Sequence, residues 1–286
     1  MRRAALLIFG VALGLGAGAR DAVDRWVAAT GLPPLVQETS VEVLDREGRL
    51  LRAFTVADGR WRLAVSLDAV DRRYLDMLVA YEDKRFRRHP GVDPLALLRA
   101  AGQAAWNGRI VSGGSTLTMQ VARLLEEGPT GSLAGKLRQM RVALALERRL
   151  SKDDILTLYL NRAPFGGNLE GVRAAARAYF GKPPKRLTAA EAALLVALPQ
   201  APEARRPDRD AAAARAARDR VLARMAAAGV IPQDAAAAAR RERVPDGRHP
   251  FPALAPHLGD RVTGEAPDRR VHLTTLDAGL QARLEA

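Results

Sequence analysis

From Ser66 onward, apolar residues recur at three- and four-residue intervals, the spacing that gives a helix one buried face. "SLDAVDRRYLDMLVAYED" opens on a capping serine and keeps that period to Asp83. "DPLALLRAAGQAAW" repeats it after Pro94, whose fixed backbone angle suits a first helical turn. "NGRIVSGGSTLTMQVARLLEE" is a Gly-Ser-Thr loop running into a helix. "SLAGKLRQMRVALALERRL" and "SKDDILTLYLN" are two more helices, each opened by a serine, the second with acids in its first turn. "VRAAARAYFGKPP" is closed by Gly181, and "TAAEAALLVALPQAP" is capped at Thr188 and stopped by Pro199 and Pro202. After Pro202 comes an alanine- and arginine-rich helix, then a proline-punctuated linker to about Asp268.

Before Ser66 the period changes. "SVEVLDREGRLLRAFTV" alternates apolar and polar residues around Asp45-Arg46-Glu47-Gly48, which predicts a hairpin. The chain ends on "VHLTT", with strand character, and "LDAGLQARLEA", which begins a helix, as if a further domain follows. The pattern is mainly α, with one short β-hairpin near the start. Ahead of it, Arg2-Arg3 precede the uncharged run from Ala4 to Ala19, and Asp21 to Gly31 read as a short amphipathic helix ended by "LPPL". The apolar run is short for a span of about 20 residues. The flanking basic residues favour an uncleaved single-pass anchor over a cleaved signal, with everything after Arg20 exported.

Composition narrows the chemistry. The chain of 286 residues has no cysteine, so disulfides, thiolate metal sites and a cysteine nucleophile are excluded. His89, His249, His257 and His272 lack metal-ligand spacing. The formal charge of +13 calls for an anionic partner, yet only five of the 45 basic residues are lysine, which points to compositional bias. The basic residues are spread out with few interleaved aromatics, so no nucleic-acid partner is expected.

One stretch stands out: "YEDKRFRRHPG" (81–91) places two acids at the end of an apolar run and in front of a basic cluster. "EDKRFRRHPGVD", "GGSTLTMQ", "KLRQMRVALALERRLSKDDILTLYLN" and "FGGNLEGVRAAARAYFGK" occur in this order at these separations. Together they resemble the glycosyltransferase module of class A penicillin-binding proteins, glycosyltransferase family 51, over roughly Ser66 to Pro202. Variants such as "STLTMQ", "KLRQM" and "YLNRAPFGG" look most like the 1C type. The resemblance implies a lysozyme-like, two-lobed, mainly helical fold with a membrane-embedded smaller lobe. It implies polymerisation of lipid II into glycan strands, with release of undecaprenyl diphosphate, on the outer side of the cytoplasmic membrane. Its implied partners are lipid II, the growing glycan strand, that membrane, and a transpeptidase domain C-terminal to the chain. The organisation expected is an anchor over 1–20, a juxtamembrane helix and hairpin over 21–60, the glycosyltransferase domain over 61–225, and a linker with the beginning of a transpeptidase domain over 226–286.

The reaction needs a base for the attacking sugar hydroxyl. The resemblance assigns that role to Glu82, and a partly apolar wall would suit it. It further implies that Asp83 and His89 hold the loop by hydrogen bonds, that Phe86 packs beneath it, and that Gly91 completes the turn. The leaving diphosphate needs positive charge more than an acid. Ser115, Thr116 and Gln120 at a helix start are matched to a phosphate cradle, with Arg123 and Lys136 supplying charge. Most of the family carries a second glutamate where this chain has Gln139, and an arginine expected shortly before is lost, with Gly131 about there. An amide cannot carry charge or exchange protons, but Gln139 can donate a hydrogen bond. Asn161 and Glu170 are further substrate-binding candidates, although a helix-start charge is the commoner meaning of Glu170. Glu147 reads as a structural ion partner. No dedicated metal site is expected, though a divalent cation such as Mg could bridge the diphosphate. Two other readings stay open: a lysozyme-like hydrolase, disfavoured by Gln139 and the nearby cations, and a catalytically weak lipid II-binding scaffold.

Overall fold

A computed structural model of the chain describes residues 17–108, 114–126 and 132–286. Residues 17–28 are helical (α1). The hairpin is present as β1 (Val41–Leu44) and β2 (Leu50–Phe54), followed by the short β3 (Trp61–Arg62). The helices α2 (Arg72–Glu82), α3 (Pro94–Asn107), α4 (Leu117–Leu125), α5 (Leu133–Glu147) and α6 (Lys152–Arg162) come next. Then follow β4 (Leu169–Glu170), α7 (Val172–Phe180), α8 (Ala189–Ala197), α9 (Ala211–Ala227), α10 (Gln233–Arg241), α11 (Pro256–Glu265), β5 (Val271–Leu273) and α12 (Ala278–Leu284). The fold is mainly helical. The apolar run Ala4–Ala19 falls largely outside the described residues, and among those described no helix is long and apolar enough to cross a membrane.

Capping residues start several of these helices, Ser132 and Thr188 among them as read from the sequence. Asp93 accepts from Leu95 N and Ala96 N ahead of Pro94, Thr116 from Met119 N, and Ser132 from Gly135 N. Thr188 and Glu191 form a reciprocal capping box. Ser66 behaves differently from the expectation. It precedes only a 3-10 turn, Leu67–Ala69, and makes no side-chain cap bond. The helix starts one turn later, because Asp71 accepts from Arg73 N and also from Leu187 N. Capturing an amide from a distant segment outweighs continuing the turn.

The described residues fall into two compact units. The first comprises the chain up to Leu35 together with Arg85–Ile155. In it α4 packs on α5 through Leu117, Met119, Val121 and Ala122 on one side and Val142, Ala143, Ala145 and Leu146 on the other, all buried. The end of α1 is pinned by arginines: Arg141 donates to Trp26 O (3.0 Å) and lies over the Trp26 ring, Arg149 donates to Thr30 O (3.1 Å), and Arg148 pairs with Asp24.

The second unit comprises Val36–Lys84 and Leu156–Ala286. At its centre is α8, from which Ala190 and every residue from Ala192 to Ala197 are buried, as expected of a helix apolar on all sides. It packs against α2, α7 and α9. The segment read as a linker contains α10, which buries Ala236 and Ala239 against α8 and α9. An alanine-rich stripe has too little hydrophobic contrast to mark a helix in sequence. Buried Arg218 of α9 closes this helix by donating to Arg240 O (3.0 Å) and Glu242 O (2.6 Å). The strand expected in "VHLTT" is β5, and it pairs in parallel with β1, Val43 opposite His272, giving the sheet order β2-β1-β5.

Candidate functional site

Glu82 is the last residue of α2, whose apolar side buries Tyr74, Met77 and Leu78. The helix ends because Asp83 leaves helical geometry (φ −156°, ψ 79°) while its N–H still bonds Val79 O (2.9 Å). Asp83 is thereby buried and Glu82 half-buried. That is the physical content of the two adjacent acids: one caps the helix end and the other stands half-buried beside it. Burial, with the charge of Glu82 adding to it, pushes the Tyr74 hydroxyl up well above the usual tyrosine range. A residue not foreseen from sequence joins here. Gln200, at the end of the 3-10 turn that continues α8, donates from Nε2 to Glu82 Oε1 (2.8 Å).

In the first unit, the loop after Arg85 is held from several directions. Phe86 is fully buried, with Lys152 Nζ 4.6 Å from its ring centre. His89 is buried and its Nδ1 accepts from Gly91 N (3.1 Å), which fixes the turn and places any ring proton of the neutral form on Nε2. Gly91 has φ +100°, and a Cβ there would lie 2.6 Å from Ala143 O. Its own carbonyl accepts from Thr116 Oγ1 (2.5 Å). The Thr116 hydroxyl therefore does two structural jobs, since the same oxygen caps α4.

Beside it, Lys136 Nζ donates to Ser115 Oγ. Burial, and then the like charge of Arg123, hold the Lys136 ammonium below its ordinary pKa. Among the described residues, neither Lys136 nor Arg123 pairs with a carboxylate. One turn further along α5, Gln139 is 6% exposed, and its Nε2 has no hydrogen-bond partner among the described residues. A buried amide donor left open is costly. Gln120 of α4 is half-buried, and Gly131 lies outside the described residues.

Two candidates are engaged in holding the second unit together. Asn161 closes a two-way link to Val65, accepting from its N (2.9 Å) and donating to its O (2.8 Å). Glu170 is buried among Arg60 (2.9 Å), Arg62 (3.0 Å) and the amide of Gln37. The pairing of β3 with β4 sets Glu170 directly beside Arg62. Glu147 accepts from Thr118 Oγ1 (2.6 Å) and Lys152 Nζ (2.6 Å), and Lys152 also donates to His89 O (2.7 Å). This knot ties α4, α5 and the start of α6 to the loop. Among the described residues no three acidic or histidine side chains gather as a metal site.

Penicillin-binding protein 1C of Escherichia coli K12 is 50% identical over 243 residues, which is 85% of this chain and 31% of that protein. Penicillin-binding protein 1A of the same organism is 33% identical over 263 residues, 89% of this chain and 30% of that protein. A crystal structure of penicillin-binding protein 1A from Haemophilus influenzae aligns over 88% of this chain and 28% of its own, at 21% identity and a TM-score of 0.42. The chain thus spans just under a third of the length of the curated relatives it matches. A family model for transglycosylases matches residues 47–226, from the hairpin turn to the end of α9. The chain belongs to the transglycosylase family.

Proposed function

We propose that the chain is a peptidoglycan glycosyltransferase that polymerises lipid II into glycan strands and releases undecaprenyl diphosphate. In this reading it works at the outer face of the cytoplasmic membrane, as part of a longer protein that also carries a transpeptidase domain. The observation that carries it is the pair of cations Lys136 and Arg123, which no carboxylate neutralises among the described residues. Two neighbouring cations of this kind suit an incoming diphosphate. The Ser115 hydroxyl, bonded to Lys136, and the N-terminus of α4 add donors of the kind that hold phosphate oxygens.

The chemistry assigned to this chain is then brief. Glu82 accepts the proton of the attacking sugar 4-hydroxyl as its oxygen bonds to the anomeric carbon, and the lipid diphosphate departs with the electron pair of the broken bond. A diphosphate leaves as a stable anion, so no acid is required of Gln139. Its amide instead donates a hydrogen bond to a substrate oxygen. The membrane reading is supported by apolar side chains left exposed in the first unit: Leu95, Leu98 and Trp106 on α3, the last 91% exposed, and Leu133 and Leu137 on α5.

The test is polymerisation of labelled lipid II by the detergent-solubilised chain, beside Glu82→Gln, with and without a chelator. Polymer from the unsubstituted chain, at least about 100-fold less from Glu82→Gln, and little effect of the chelator are expected. Retained lipid II binding with no polymer from either protein would leave the scaffold reading in its place.

A further inference from the structure

The proposed base is held from a second element. Gln200 reaches Glu82 from 118 residues away, and it is itself held: Arg205 Nη1 donates to Gln200 Oε1 (3.1 Å) and to Ala197 O (2.7 Å), the last carbonyl of α8. We infer that Gln200, oriented by Arg205, is a positioning residue for Glu82. The inference rests on the reading of Glu82 as the base.

The argument is one of donors and acceptors. An ionised carboxylate only accepts hydrogen bonds and a guanidinium only donates them. Between the two, a glutamine amide has a single orientation that satisfies both ends, NH2 toward Glu82 and C=O toward Arg205. The orientation is therefore imposed by chemistry. The line also has a rigid footing. Gln200 ends a 3-10 turn whose Leu198 and Pro199 are buried, Ala201 N bonds Leu198 O (3.1 Å), and Arg205 N bonds Ala201 O (3.0 Å). A fixed backbone thus presents one neutral donor to one carboxylate oxygen.

A neutral donor has a particular merit here. A cation placed directly on Glu82 would hold the carboxylate ionised and weaken it as a base. The amide fixes the direction of the carboxylate while taking less from its basicity, and the positive charge of Arg205 is kept one residue back. Other titratable or charged groups near this helix end include Asp83 and Lys84, which follow Glu82 in the chain, Tyr74 on the same helix, and Arg224 of α9, whose guanidinium lies 4.5 Å from the Tyr81 ring centre.

The experiment measures kcat and KM for labelled lipid II, the pH dependence of kcat/KM, and the melting temperature, for Gln200→Leu, Gln200→Glu, Arg205→Leu and Arg205→Lys, with Glu82→Gln in the same series. Gln200 is exposed, so its replacement leaves the melting temperature nearly unchanged. Gln200→Leu lowers kcat roughly three- to tenfold with little change in KM, the effect of one lost hydrogen bond at an exposed site. Its acidic limb moves to higher pH, because a donor that favoured the ionised carboxylate is gone. Gln200→Glu moves that limb further, since two carboxylates then face each other. Arg205→Leu lowers kcat in the same sense, and Arg205→Lys restores most of it. If Glu82→Gln is inactive while Gln200→Leu keeps both the kcat and the acidic limb of the unsubstituted chain, the positioning role is wrong. If Glu82→Gln itself remains active, the assignment of the base fails first.

Discussion

At the scale of single residues, Gly91 and Gln139 show how a side chain's absence or presence is set by its neighbours. Gly91 combines a backbone angle that L-residues avoid with a carbonyl, Ala143 O, where a Cβ would sit. Gly48 in the hairpin turn has φ +77° but open space around it. Gly48→Ala should therefore cost only about 1 kcal/mol, the backbone term alone. Gly91→Ala should cost about 2–3 kcal/mol or more, and denaturant titration of the two variants separates strain from collision. Gln139 predicts the opposite combination. Its buried donor lacks a partner among the described residues, so Gln139→Leu should leave stability unchanged or raise it by up to about 1 kcal/mol while lowering polymerisation. A loss of stability together with activity would make Gln139 a structural residue. The turn at Pro90-Gly91 was legible in sequence. The carbonyl that forbids a side chain there was not, because it comes from α5, about fifty residues away.

At the scale of elements, the Glu147–Lys152 pair decides how the loop over Phe86–Gly91 is held in the first unit. Their side chains are 8% and 19% exposed, and three further groups converge on them: the Thr118 hydroxyl, the His89 carbonyl and the Phe86 ring. Lys152→Met would strand a buried carboxylate and release the His89 carbonyl. A loss of about 2–3 kcal/mol is expected, somewhat under the range for fully buried pairs because the ammonium retains some solvent. Adding Glu147→Gln to that variant should recover part of the loss, a coupling that a double-mutant cycle in thermal or denaturant unfolding reads directly. The sequence reading of Glu147 as an ion partner agrees with this geometry. Lys152, an ordinary first-turn lysine in "SKDDIL", carried no signal of its role.

At the scale of the whole molecule, Asp45 links segments more than two hundred residues apart. Its carboxylate accepts from Glu47 N (2.9 Å), Arg49 N (2.8 Å), Arg49 Nε (2.8 Å) and, at the start of α12, Ala278 N (3.1 Å). Burial alone would raise its pKa, but the amides of Ala278 and Arg49, the Arg49 side chain and the amide of Glu47 outweigh it and hold the carboxyl far below its ordinary value of 3.8. A carboxyl depressed in the folded state stabilises the fold fully above its unfolded pKa and loses that contribution as pH falls toward the folded one. Hydrogen-exchange protection of Glu42 N and Thr274 N, which bond across the β1–β5 pairing, should accordingly hold at neutral pH and decline below about pH 4. Asp45→Asn should lower protection at neutral pH and flatten the dependence. Unchanged acid sensitivity in that variant would place its origin elsewhere.

Between Ser66 and Pro202 the sequence by itself determined which segments are helical, where most of them begin and end, and the order of the four motifs. Caps, prolines and helical periodicity act within a few residues of the positions they affect, so they can be read along the chain. Ser66 misled because the capping choice was made by Leu187, and α10 was missed because its alanines mark no face until α8 and α9 supply one. Tertiary structure alone decided that β5 joins β1, that Lys152 closes on His89, and that Gln200 turns its amide to Glu82. Each of these links joins groups whose separation in sequence is bridged only when the chain closes. A donor and an acceptor far apart in sequence do not announce each other: backbone closure and the need to satisfy buried polar groups select the pair.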